Sequence, residues 1–133
     1  MSRASSFEGL FRVFALAFAG AGLFHGACLV KPDLAPPVPP AWHALFVLVN
    51  LTLAFGVVRF RTRAFVVGFA LYMVQQYVEH GPRLIDIWRE QQRIDWTSVA
   101  PLLFVPVVLV CLWLNLRARA RDATLGPSSN ASA

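Results

Sequence analysis

The sequence predicts an all-α integral membrane protein: a four-helix up-down-up-down bundle with a short interfacial helix between the third and fourth spans. Three observations carry this reading. With 57% hydrophobic residues in 133 and a mean hydropathy of +0.58, the chain is too apolar for a water-soluble globule of its size. Charged residues amount to 14%, and they cluster between apolar runs instead of spreading along helical faces. The runs themselves have the length, roughly 17–25 residues, that a helix needs to cross hydrocarbon. A net charge of +5 would point to nucleic acid in a soluble protein, but here the arginines stand at the ends of apolar runs, where membrane topology places them. Nucleic acid is therefore not an expected partner; the lipid bilayer is.

The first helix is expected to begin at Ser5-Ser6-Phe7-Glu8, a capping box with Ser5 as N-cap. Its span covers about residues 9–30, in which Ala15, Ala19, Gly22 and Gly26 form a stripe of small residues that lets a neighbouring helix approach. The basic start and Gly26-Ala27-Cys28 suggest a cleavable signal, but His25 stands where such a site needs an aliphatic residue, so a retained span is expected. Lys31 to Pro40 holds five prolines and should be an extended connector. The second span, about 41–58, carries His43 and Asn50 on one face. Arg59, Arg61 and Arg63 make a basic turn, and the third span, about 64–80, should end at Gly81-Pro82 with Gly81 in a left-handed cap. Arg83 to Asp95 fits an interfacial helix anchored by Trp88 and Trp96. Thr97 or Ser98 should cap the fourth span, about 98–116, kinked at Pro106. Residues 1–121 thus form one membrane domain and 122–133 a disordered tail. Cys28 and Cys111 form no CxxC motif and read as packing residues.

Arg3, Arg12, Arg59, Arg61, Arg63, Arg117, Arg119 and Arg121 fall on one side of this topology, Lys31, Arg83, Arg89 and Arg93 on the other. Both termini are expected in the cytoplasm, in a bacterial inner membrane. Depth can then be counted from each cytoplasmic arginine at about 1.5 Å per residue. His25, His43, Gln76 and Glu79 all come out about 20–24 Å up, in the outer half of the core, and Asn50 and Tyr72 about 14 Å up. Tyr72, Gln75, Gln76, Glu79 and Arg83 share one face of the third helix, with His80 at its edge. A polar face at membrane depth is costly against lipid and should look into a protein interior. The candidate ligand-binding residues are therefore His25, His43, Asn50, Tyr72, Gln76 and Glu79.

Two imidazoles and a carboxylate could hold a metal, two histidines at one depth could clamp a haem, and His with Glu could move protons on a lipid-soluble substrate. No cofactor is singled out. The competing readings are interfacial: Glu79 and Arg83 are spaced for an intrahelical ion pair, His43 adjoins Trp42 at a span entrance, and His80 fits a helix end. In size and four-span topology the chain resembles small bundle families such as the DoxX-like and emopamil-binding proteins, with no shared motif from which to carry over an activity or a site. Three function classes follow: a binder of a hydrophobic small molecule or cofactor in an outer-half pocket, an accessory subunit docked on a membrane-protein partner or on a second copy, and a small enzyme acting on a lipid-soluble substrate.

Overall fold

The computed structural model describes residues 7–34 and 38–124 and is all-helical over them. Helix α1 spans Glu8–Val30, α2 Pro40–Arg59, α3 Arg63–Gln91 and α4 Trp96–Thr124, with a single 3-10 turn at Pro32–Leu34. Three helices, α1, α2 and α4, are long and apolar enough to cross a membrane. Helix α3 has the length but not the composition, because Gln75, Gln76, Glu79 and His80 fall in its central stretch. The chain divides into two units, Met1–Arg61 and Thr62–Ala133.

In the first unit α1 and α2 form an antiparallel hairpin. Helix α1 buries Phe11, Phe14, Phe18, Gly22 and Cys28, so its core stripe is built on phenylalanines, and Ala15 and Ala19 only flank it half-buried. Aromatic rings bury far more area than alanine methyls, which is why the stripe centres on them. The small-residue seam holds towards the C-terminal end of α1. A Cβ added to Gly22 would lie 3.4 Å from the Leu51 side chain and 3.6 Å from Asn50, and one on Gly26 would lie 3.9 Å from Val47. Helix α1 starts at Glu8 with Phe7 in the N-cap position, and the expected Ser5 cap lies outside the described residues. The connector is not wholly extended: Pro32–Leu34 makes a 3-10 turn, and α2 opens with Pro40 in its first turn, where a missing N–H costs nothing.

In the second unit α3 corrects the expected chain path. It runs unbroken through Gly81-Pro82 to Gln91, so the third span and the interfacial helix are one helix of 29 residues. Gly81 takes no left-handed conformation; that role falls to Gln92, at φ 49° and ψ 33°, whose backbone and side-chain N–H groups both donate to the Trp88 carbonyl. The physical reason is tertiary. Tyr77, His80 and Arg83 are each bonded to α4 or its cap, on both sides of Pro82, and hold the helix together where local preference would end it. At the other end of the turn the cap is Asp95, not Thr97 or Ser98: its carboxylate accepts from the Thr97 N–H at 3.2 Å and from both hydroxyls. Helix α4 outlasts its expected end at 116 and carries Arg117, Arg119, Arg121 and Asp122 in helical backbone up to Thr124. The tail from 125 on lies outside the described residues.

Candidate functional site: a histidine pair on adjacent helices

His25 on α1 and His43 on α2 meet with their Nδ1 atoms 3.1 Å apart. The antiparallel hairpin makes this possible, since Gly22, about a turn before His25, and Gly26, next to it, let α1 approach α2 closely. His43 is only 6% exposed although it adjoins Trp42 at the start of α2. His25 is half-buried and stacks on Phe46 at 5.0 Å between ring centroids, with Phe24 edge-on at 5.7 Å. Phe46 in turn stacks on Trp42 at 6.2 Å. His25 thus lies against an aromatic wall, with His43 tilted on its ring at 5.4 Å. Two turns below His43, Asn50 is buried and its Nδ2 donates to the Phe46 carbonyl at 2.8 Å, so the polar groups of α2 lie on one face.

The contact restricts what the pair can hold. A porphyrin cannot pass between two ring nitrogens 3.1 Å apart, so this geometry does not suit an edge-on haem clamp. Among the described residues no group of three or more His, Cys, Asp or Glu side chains is placed to hold a metal. The contact is a hydrogen bond between imidazoles, one N–H donating to the other ring's lone pair.

The other expected residues belong to the second unit. Gln76 is buried and its Nε2 donates to Gln75 Oε1 at 2.6 Å, whereas Glu79 is exposed. Tyr72 is half-buried, edge-on to Phe69 at 5.8 Å. Arg83 pairs with Asp95 at 3.0 Å instead of Glu79. His80, expected against terminal carbonyls, lies 3.3 Å from the Ser98 hydroxyl, which itself donates to Asp95 at 2.7 Å. The result is a part-buried polar chain from α3 to the cap of α4. Burial by itself would raise the Asp95 carboxyl, but hydrogen bonds from Thr97 and Ser98 and the Arg83 guanidinium outweigh it and hold the group at about 2, below its ordinary 3.8.

Two residues escaped the sequence reading. Tyr77 donates its hydroxyl to the Leu102 carbonyl at 3.0 Å. Leu102 is four residues before Pro106, whose missing N–H leaves that carbonyl without its helical donor, so Tyr77 repairs the gap. The signal was present as a proline inside an apolar run, but the donor's identity depends on helix register. Asn115 is fully buried, and neither its Nδ2 nor its Oδ1 finds a partner among the described residues.

No family model, curated protein or solved structure matches the chain.

Proposed function

We propose that the chain is a multi-pass protein of a bacterial inner membrane that binds a hydrophobic small molecule or cofactor in the outer half of the α1–α2 hairpin, with His25 and His43 as its polar anchor. The observation that supports this is the His25–His43 contact itself. Ionisable side chains inside spans are expensive and rare, and these are two of the chain's three histidines. The aromatic wall of Trp42, Phe46 and Phe24 supplies flat apolar surface beside the anchor, as small-molecule sites do.

The test is a double-mutant cycle in lipid nanodiscs, with quinones, haem and free metal ions screened by spectrum and by thermal shift. His25→Ala and His43→Ala should each weaken the same ligand by about tenfold, with a combined effect short of the sum because the two rings touch. Additive effects, together with no spectral or thermal response to any compound, would leave an accessory subunit as the better description.

A further inference from the structure

We propose that His25 and His43 form a two-imidazole proton relay linking a buried position in the hairpin to a half-buried one. The inference starts from the nature of the bond. Two neutral imidazoles can share a hydrogen bond between Nδ1 atoms only if one carries its proton on Nδ1 and the other on Nε2. The pair therefore has opposite tautomers. One ring's Nε2 is a lone pair and the other's is an N–H.

That asymmetry makes a path. Take the arrangement in which His43 donates from Nδ1 and His25 holds its proton on Nε2. A proton arriving at His43 Nε2 forms an N–H bond there; the Nδ1–H of His43 passes across the bridge to His25 Nδ1; and the Nε2–H of His25 leaves to water or another acceptor. One proton has entered and one has left, the pair is neutral before and after, and the bridge has reversed its direction. A second passage in the same sense requires the reverse transfer or a ring rotation first.

Burial supplies the two ends. His43 is nearly closed off at 6% exposed, whereas His25 is half-buried, with Phe46 stacked on its ring. Two histidines that served only to join helices would gain as much from an Asn–Ser or Gln–Gln bond, neither of which can pass a proton. The donor at the His43 end is a lipid-soluble acid of the phenol or carboxylic acid class; this assignment rests on the ligand site proposed above, whereas the relay does not.

Nitrogen-15 NMR of histidine-labelled full chain in lipid bilayers tests both parts. Beside the signals of His80, the expected spectrum has one Nδ1–H and one Nε2–H histidine with scalar coupling between their two Nδ1 nitrogens. Exchange should interconvert the two patterns in concert on both rings. His43→Asn keeps an amide near the position of the ring Nδ1 and so keeps a bridge, but tautomer exchange at His25 should slow about a hundredfold or more; His25→Asn is the reciprocal control at His43. Identical tautomers, absent coupling, or exchange that persists unchanged in the Asn variants would overturn the relay. Adding 4-nonylphenol should speed the exchange in the parent, and its methyl ether should not. Equal responses to both compounds would overturn the assigned ligand class while leaving the relay intact.

Discussion

His43 shows how far one side chain's meaning depends on its neighbour. Beside Trp42 at the entrance of α2 it has the sequence context of an interfacial residue, yet its ring is buried on His25. Asp95 is the comparable case in the second unit. Its sequence context is a polar linker, and its setting is a buried cap that collects Thr97, Ser98 and Arg83. Because its carboxyl is held at about 2, below the ordinary 3.8, the stability it contributes is present above pH 4 and is lost as pH falls through 2. Acid melting of the parent in detergent should therefore steepen between about pH 4 and 2. Asp95→Asn should be less stable at neutral pH and flatter in that window; an equal slope in both proteins would mean that the carboxylate is not the group responsible.

At the scale of the helix, packing decides what local preference leaves open. Gly22 has a leucine side chain 3.4 Å from where its Cβ would be, so Gly22→Leu forces a branched side chain into α2 and should cost about 1–3 kcal/mol. The control is Leu16→Ala on the exposed face of α1, which should melt within a degree or two of the parent. If the two variants melt alike, the seam is misplaced. Helix α4 offers a sharper test. Removing the Tyr77 hydroxyl leaves the Leu102 carbonyl unpaired, and Tyr77→Phe should cost roughly 1–2 kcal/mol. Pro106→Ala restores the helical N–H, so in that background the same Tyr77→Phe change should cost a few tenths of a kcal/mol. Full additivity of the two substitutions would show that the tyrosine is not repairing the proline's gap.

For the whole molecule, the open element is α3. At 29 residues it measures about 43 Å, longer than the roughly 30 Å hydrocarbon core, so a crossing helix would extend beyond the membrane with its Arg83–Gln91 end. Reporter fusions distinguish a crossing from a helix lying on the surface. With α3 crossing, a reporter between α3 and α4 should share the non-cytoplasmic side with one between α1 and α2, and a reporter at the C-terminus should stay cytoplasmic. A C-terminal reporter active outside the cytoplasm would mean three crossings instead of four.

The helical class, the apolar runs of α1, α2 and α4 and the approximate ends of α1 and α2 were legible in the sequence alone, because they follow from run length, proline and arginine placement, and the cost of exposing backbone to lipid. Gly22 and Gly26 were legible as a close-approach seam for the same local reason: only small residues let two helix backbones near. The polar residues were found one by one from their depth. Which of them meet was not legible, because a ladder counted along one helix fixes height but not rotation or register against the next. Tertiary structure alone joined His25 to His43, exchanged Glu79 for Asp95 as the partner of Arg83, and supplied Tyr77 to Leu102. It also carried α3 through Gly81-Pro82, since bonds to α4 and its cap on both sides of the proline outweigh a local tendency to stop worth only a few kcal/mol.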